Sequence, residues 1–267
     1  MPAQTLQQLK ADSFRALHEE DPFVIPNPWD AGSAKVMEAL GFSALATTSA
    51  GFAFTLGRLD GAITLDELVE HVGALDEATA LPVSVDIENG FGPDPKDAAV
   101  AITRVAAVGA VGGSIEDFDP DGGIYPLDHA VERVKAAVEA ARGLDFPFTL
   151  TARAENHIRG NPDLANTIAR LQAYERVGAD VLYAPGLSSV GEIRAVCEAV
   201  TKPVNVLALP HLSVSKIAAA GGQRISVGSQ LAWVAIDAMA NTAERIQDTG
   251  DLSGLKASGR IGEWLSR

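Results

Sequence analysis

The chain has 267 residues, 47% of them hydrophobic, which is enough to bury one large core. Its 35 acidic and 21 basic residues leave a formal net charge of −14, which argues against nucleic acid and anionic membranes as partners. The single cysteine, Cys197, excludes a disulfide bond within one chain. Since we find neither a secretory signal nor an apolar run long enough to span a membrane, we expect a cytoplasmic protein.

Short apolar segments alternate with amphipathic ones along the chain. The apolar segments predict strands at 23–27, 44–49, a run beginning at 83, 113–117, 148–155, 181–185, 203–209 and 224–228. The amphipathic segments predict helices at 6–20, 30–40, 64–79, 97–108, 128–142, 163–177, 190–200, 213–220 and 230–247. This alternation predicts a (β/α)8 TIM barrel, one α/β domain over 1–267 with a helical tail over about 248–267. A doubly wound open sheet is the alternative, but no Gly-x-Gly-x-x-Gly follows the first strand.

The third predicted strand ends in two carboxylates, Asp86 and Glu88, followed by Gly90 and Gly92. Residues two apart on a strand share one face, so these acids repel each other and lose hydration together. A divalent cation would remove the conflict, and hard oxygen ligands suit Mg2+ or Mn2+. The alternative is that both acids are solvated residues at the start of a loop.

Polar residues also end the neighbouring predicted strands. They are Thr47, Thr48 and Ser49 after the second strand, Glu116 and Asp117 after the fourth, Arg153 and Glu155 after the fifth, and Asn205 within the seventh. In a barrel all of these open on the carboxyl-terminal face, where barrel enzymes carry out their chemistry. We therefore expect a site for a metal ion and an anion at this face, in preference to a solvated rim.

Arg153 and Trp29 each have two interpretations. The Arg153 guanidinium could bind a substrate carboxylate through two hydrogen bonds, or it could form a structural ion pair with Glu155 or Glu116. The Trp29 ring, which follows Pro28, could form a wall of the pocket or only pack against the end of the barrel. The residues alone do not decide between these interpretations.

The turn formed by Ser49, Ala50 and Gly51 could direct backbone N–H groups at an oxyanion, or it could be a plain tight turn.

The five histidines are weaker candidates for functional residues. His18, His71 and His129 fall on predicted helices and His157 and His211 in loops, and we expect all five to be solvated. The two loop histidines could alternatively act as an acid or a base.

The motifs, taken in this order, resemble the isocitrate lyase/phosphoenolpyruvate mutase superfamily. The similarity runs over 14–240 and is carried by Asn27-Pro28-Trp29-Asp30-Ala31, Thr48-Ser49-Ala50-Gly51, Leu56-Gly57-Arg58-Leu59-Asp60, Asp86-Ile87-Glu88-Asn89-Gly90-Phe91-Gly92, Ser114-Ile115-Glu116-Asp117 and Thr151-Ala152-Arg153-Ala154-Glu155. The motif at the third strand, with its glycines, is the most specific of these.

This resemblance implies a barrel that forms a homotetramer or homodimer and exchanges its last helix between subunits. It implies Mg2+ (or Mn2+) and a small anionic 2-oxo or 2-hydroxy acid as substrate. It further implies that Asp86 binds the metal, while Glu88, Glu116 and Asp60 act on the metal's water shell. The implied substrate-binding residues are Trp29, Thr48, Ser49, Ala50, Gly51, Arg153 and Asn205, and the implied catalytic residues are Asp60, Glu116 and Arg153.

Two departures from the family pattern restrict the reaction. The loop over 118–126 lacks the Lys-[Lys/Arg]-Cys-Gly-His motif of the lyases, so Asp60, Tyr125 or a water would have to act as the base. The mutase's His and Ser after the sixth strand are also absent.

We therefore expect a Mg2+-dependent lyase or decarboxylase that cleaves a C–C bond of a small di- or tricarboxylic acid through an enolpyruvate-like intermediate. A phosphonopyruvate-type mutase or hydrolase and a non-catalytic 2-oxo acid binder are the alternatives. A Schiff-base aldolase is disfavoured because no lysine ends a predicted strand.

Overall fold

The computed structural model describes residues 4–256 and 259–266. Its strands are β1 (Phe23–Ile25), β2 (Leu45–Ala46), β3 (Val83–Asp86), β4 (Gly112–Glu116), β5 (Phe118–Asp119), β6 (Gly123–Ile124), β7 (Thr149–Arg153), β8 (Val181–Tyr183), β9 (Val204–Leu207) and β10 (Arg224–Ser226). Within the described residues, all but β5 and β6 form one parallel sheet in the order β1-β10-β9-β8-β7-β4-β3-β2. The Ala46 N–H donates to the Pro26 carbonyl across the remaining gap between β1 and β2, at 3.0 Å. The predicted TIM barrel is therefore confirmed.

Helices surround this barrel. They are α1 (Leu6–Ala16), α2 (Ala31–Ala39), α3 (Ser49–Thr55), α4 (Leu65–Ala78), α5 (Pro95–Ala106), α6 (Leu127–Arg142), α7 (Leu164–Arg176), α8 (Val190–Ala199), α9 (Val214–Ala219), α10 (Gln230–Thr249) and α11 (Ile261–Leu265). Residues 257, 258 and 267 of the predicted tail lie outside the described residues. Among the helices that can be described, none combines the length and the apolar character that a bilayer crossing requires.

The structure contains two elements that the sequence patterns did not predict. Ser49, Ala50 and Gly51 were expected to form a turn, but they lie in helix α3, which begins because the Thr48 hydroxyl accepts a hydrogen bond from the Gly51 N–H at 3.2 Å. Phe52 and Ala53 of this helix are buried in the core, which stabilises so short a helix. The loop after β4 contains the antiparallel hairpin of β5 and β6.

Three histidines expected in solvent, His18, His71 and His157, are buried. The Nδ1 of His18 lies 2.8 Å from the Phe14 carbonyl and its Nε2 lies 3.3 Å from Nη1 of Arg224. A carbonyl only accepts and a guanidinium only donates, so His18 is neutral with its proton on Nδ1. Burial, assisted by Arg224, lowers the pKa of His18 to about 3. His71 stacks on Phe52 with ring centroids 3.9 Å apart, and burial lowers its pKa to about 4.

His18 makes the stability of the fold depend on pH. Its pKa is lower in the folded state than the unfolded value of 6.5, so the stabilisation is complete above about pH 6.5 and is lost as the pH falls toward 3. Between about pH 7 and pH 5.5, we expect the free energy of unfolding in urea to fall by roughly 1 kcal/mol more for the wild type than for His18→Gln. The exposed His211 provides the control, because His211→Gln should keep the wild-type pH dependence. Equal pH dependence in the wild type and His18→Gln would contradict the assignment.

Candidate active site

A cavity of about 400 Å3 opens at the carboxyl ends of the barrel strands. Most of the residues predicted for the site line it, namely Thr48, Ser49, Ala50, Asp60, Asp86, Glu116, Arg153 and Asn205. They come from separate parts of the chain and meet because parallel strands place their carboxyl ends on one face. Strand pairing sets Glu116 beside Arg153 and Asp86 beside Ser114 in the sheet.

The Arg153 guanidinium lies at the centre of this cluster. It contacts Oδ1 of Asp86 at 3.0 Å, Oε1 of Glu116 at 3.0 Å and Oε1 of Glu155 at 2.8 Å. Burial alone would lower the pKa of Arg153, but the three carboxylates raise it well above its ordinary value. The predicted ion pairs of Arg153 with Glu155 and Glu116 are therefore both present, and Arg153 forms a third ion pair with Asp86.

The acids outnumber the cations in this part of the cavity. Burial, with Asp86 and Asp60 nearby, raises the pKa of Glu88 to about 8. Burial also raises the pKa of Glu116 in spite of Arg153. Glu88 adopts a φ of 49°, a conformation uncommon outside glycine, and one of its buried carboxylate oxygens has no hydrogen-bond partner. Such an arrangement of acids is costly unless further positive charge is supplied.

The donor set fits a divalent cation held mainly through water. Within the described residues, no group of three or more His, Cys, Asp or Glu side chains is placed to ligate a metal on its own. Mg2+ commonly binds through one or two carboxylates and keeps several of its waters, so it does not need such a group. The residues that could hold it are Asp86 directly and Glu88, Glu116 and Asp60 through water. The unpaired Glu88 oxygen and the raised pKa values favour this reading.

Several predicted residues do not line the cavity. Trp29 packs with Ala34 and Met37 of α2, outside the lining of the cavity. A side chain at Gly51 would meet Cβ of Trp29 at 3.1 Å, so this glycine is needed for close packing. The Tyr125 ring lies beside the Arg133 guanidinium, 4.7 Å from its carbon, which places this candidate base outside the cavity. Glu88 also lies outside the lining of the cavity.

The structure adds residues that the motifs did not predict. Arg159, Tyr183, Arg224 and Ser226 line the cavity, beside Glu155, which the fifth strand did predict. Burial raises the pKa of Tyr183 to about 12, so its phenol stays protonated near neutral pH. Alternation along β8 and β10 could have indicated Tyr183, Arg224 and Ser226 as inward-facing positions. Arg159 had no such signal, because it lies in a loop. His157, expected in solvent, is buried, with its Nδ1 2.8 Å from the Thr167 hydroxyl.

The chain has the architecture of a (β/α)8 barrel enzyme, with carboxylates and an arginine at the carboxyl ends of the strands, where such enzymes have their active sites. A sequence profile described as phosphoenolpyruvate phosphomutase matches residues 14–247, and the chain belongs to this family. The expected membership of the isocitrate lyase/phosphoenolpyruvate mutase superfamily is thus confirmed. The chain's relatives include the 2-methylisocitrate lyases and, at 25% identity, an oxaloacetate acetylhydrolase of known structure. Solved structures of a phosphonopyruvate hydrolase and a phosphoenolpyruvate phosphomutase, each 22% identical, share the fold.

Three relatives illustrate the similarity. A crystal structure of a provisionally assigned lyase/mutase from Burkholderia cenocepacia J2315 superposes with a TM-score of 0.95 at 49% identity, covering 98% of this chain and 97% of that one. The 2-methylisocitrate lyase of Escherichia coli K12 is 30% identical over 72% of this chain and 67% of its own length. The oxaloacetate decarboxylase of Bradyrhizobium diazoefficiens is 30% identical over 82% of this chain and 80% of its own length. The homologues are carbon–carbon lyases.

Asp117 was expected to join the acids at the mouth, but its side chain turns toward helix α7. It accepts hydrogen bonds from the Tyr174 hydroxyl at 2.6 Å, from Nη1 of Arg170 at 2.9 Å and from the Glu155 N–H at 2.8 Å. Arg170 also donates to the Tyr125 carbonyl at 3.0 Å. Asp117 therefore holds the start of the β7–α7 loop and the end of the hairpin loop, and through them the shape of the cavity.

The buried pair of Asp117 and Arg170 should be far more sensitive to mutation than an exposed pair. Asp117→Ala leaves a buried guanidinium without its partner, so we expect the free energy of unfolding in urea to fall by about 3–5 kcal/mol. The matched control is Asp66→Ala, which removes the acid of an exposed pair with Arg104 and should cost less than about 1 kcal/mol. Similar losses in the two variants would show that Asp117 does not anchor these loops.

Proposed function

We propose that the protein is a Mg2+-dependent lyase or decarboxylase that cleaves a C–C bond of a small 2-oxo or 2-hydroxy di- or tricarboxylic acid through an enolpyruvate-like intermediate. The observation that carries the proposal is the convergence of Asp86, Glu116 and Glu155 on Arg153 in the mouth of the barrel, with Glu88 close enough for Asp86 to raise its pKa. The names of the relatives, 2-methylisocitrate lyase and oxaloacetate decarboxylase, support the same class of reaction.

In this proposal Asp86 holds Mg2+, or Mn2+ in its place, and Glu88, Glu116 and Asp60 accept hydrogen bonds from the waters of the ion. When bound, the ion supplies positive charge to the oxygens of the oxo acid, where negative charge develops as the C–C bond breaks. The excess of buried acids described above is what supports a divalent rather than a monovalent cation.

The chain's own residues bind and orient the substrate. Arg153 would contact the oxo acid, and Ser49 and Ala50, which line the cavity at the start of α3, would donate their backbone N–H groups to it. Asn205 is held by two hydrogen bonds, because its Oδ1 accepts from Nε of Arg224 at 2.9 Å and its amide donates to the Ser226 hydroxyl at 3.0 Å. These two contacts fix the orientation of the Asn205 amide. A fixed amide would hold a substrate that contacts it in one orientation.

Proton transfer would use different groups for the two kinds of substrate. Decarboxylation releases CO2 and leaves an electron pair on the adjacent carbon, so the product needs only a proton. The protonated Tyr183 phenol lines the cavity and is a candidate donor of that proton. Cleavage of a 2-hydroxy acid needs a base for the hydroxyl proton, and Asp60, which lines the cavity, is the candidate. Tyr125 is the weaker candidate because its ring lies outside the cavity.

A panel of acids tests the reaction. Pyruvate and CO2 release should be assayed with Mg2+ on oxaloacetate and on 2-methylisocitrate and related 2-hydroxy acids. Phosphonopyruvate should be assayed for conversion to phosphoenolpyruvate or to pyruvate and phosphate. Turnover of a carboxylic acid supports the proposal. Turnover of phosphonopyruvate alone would assign a mutase or hydrolase, and binding of oxalate with Mg2+ without turnover of any acid would assign a non-catalytic binder.

Asp86→Asn tests the metal assignment. The change keeps the side-chain shape but removes the charge, so we expect the Mg2+-dependent affinity for oxalate, measured by calorimetry, to fall by about 100-fold or more. Far-UV circular dichroism should stay unchanged. Asp145→Asn, an exposed acid in the α6–β7 loop at the opposite end of the barrel, should bind oxalate like the wild type. Wild-type oxalate binding by Asp86→Asn would refute the metal site.

We also propose that the chain assembles as an even-numbered homo-oligomer, a homotetramer or homodimer, through helix α10. Asp237 is the one charged residue among residues 231–240 of this helix. Val234 and Met239 are 65% and 62% exposed, although a helix that is apolar on all sides is normally buried. A second copy of the chain would cover this surface, as exchange of the last helix between subunits would.

Charge on helix α10 should disrupt this assembly. The double variant Val234→Glu and Met239→Glu places two carboxylates in the proposed interface, so we expect sedimentation velocity to show monomers where the wild type shows dimers or tetramers. Val100→Glu alters a half-exposed valine on helix α5 and should leave the assembly intact. A monomeric wild type, or an unchanged assembly state of the double variant, would refute the interface.

A further inference from the structure

Three guanidinium groups line the cavity, and two of them make close contacts with protein groups through all three of their nitrogens. Arg153 is bound by three carboxylates, as described above. Arg224 is 4% exposed and donates to Asn205, to the Thr151 hydroxyl at 2.8 Å and to His18. The third, Arg159, lies on the loop after β7 with 40% of its side chain exposed.

The ion pairs of Arg159 are long. Its Nη2 lies 3.3 Å from Oε2 of Glu116 and its Nε lies 3.5 Å from Oε2 of Glu155. Both acids are held more closely by Arg153, at 3.0 and 2.8 Å. Movement of Arg159 away from them would therefore leave neither carboxylate without a cation. Long, half-exposed ion pairs contribute little to stability, so they do not by themselves explain an arginine at this place.

An aromatic ring holds Arg159 at the edge of the cavity. Its guanidinium carbon lies 3.8 Å from the ring centroid of Phe118, on strand β5 of the hairpin. Stacking on a ring orients the guanidinium plane and leaves its N–H groups, which lie in that plane, able to donate to a ligand. Two loops that close over the strand ends therefore position one cation whose binding capacity is largely unused.

We propose that Arg159 binds the distal carboxylate of the substrate and so restricts the substrates to dicarboxylic 2-oxo or 2-hydroxy acids. This inference rests on the function proposed above, in which the oxo-acid end of the substrate lies near Asp86 and Arg153. A second carboxylate entering a cavity lined with acids loses hydration and is repelled unless a cation meets it. Arg159 is the cation at the rim that can do so, and its planar fork matches a carboxylate.

Matched pairs of ligands isolate the distal carboxylate. Oxaloacetate and 2-oxobutyrate differ only in that group, as do 2-oxoglutarate and 2-oxovalerate, and oxalate lacks the distal part altogether. Calorimetry with Mg2+ should show that the wild type prefers a diacid over its matched monoacid by about 10- to 100-fold. Arg159→Met should remove most of this preference and leave the affinities for oxalate and the monoacids within about twofold, while Arg159→Lys should restore part of it.

Arg104→Met controls for the loss of one positive charge, because Arg104 lies on helix α5 away from the cavity and its side chain is also 40% exposed. It should bind all five ligands like the wild type. If Arg159→Met weakens oxalate and the diacids equally, Arg159 only supports Glu116 and Glu155, and the inference is wrong. Unchanged diacid preference in Arg159→Met also overturns it. If the wild type binds oxalate but does not distinguish diacids, only this inference fails; if it does not bind oxalate with Mg2+, the proposed function fails as well.

Discussion

The contact of one buried guanidinium with three carboxylates is the constraint on which the site depends. Arg153 joins the ends of β3, β4 and β7, and the pairing of Glu116 with Arg153 in the sheet sets this geometry. Like charges can be kept together in a cavity only when cations neutralise them. Arg153 supplies part of that charge, and the acids that remain in excess, Glu88 above all, make a divalent cation the natural complement.

The interior of the barrel explains why a cavity exists below these charges. TIM barrels usually fill this space with layers of bulky branched side chains. Here Ser84, Ser114, Asn205 and Ser226 face it, and their small polar side chains leave room for a ligand. The hydrogen bonds of Arg224 tie this layer to His18, which follows the end of α1. The floor of the site and the segment after α1 are therefore parts of one hydrogen-bond network.

The loops at the carboxyl ends of the strands distinguish this chain from relatives that share the barrel. Asp117 anchors the loops after β4 and β7 through Arg170 and Tyr174, and Phe118 and Arg159 then meet at the rim. The lyase cysteine motif is absent from the first of these loops. A family that shares the frame and differs in the loops can carry out several reactions on related anionic acids, which is what the names of the relatives describe.

The sequence by itself determined the barrel and most of the mouth of the site, because alternating apolar segments and acids at strand ends are local patterns that parallel pairing brings to one face. It did not determine α3, the β5–β6 hairpin, the turn of the Asp117 side chain toward α7 or the burial of His18, His71 and His157. The short helix and the hairpin are closed by residues close in sequence, whereas the partners of Asp117 and of His18 lie far apart in the chain; His18 and Arg224 are 206 residues apart. Only the tertiary structure decided which charges are engaged and which, like Arg159, remain able to bind, because neutralisation depends on distances of a few ångströms between side chains.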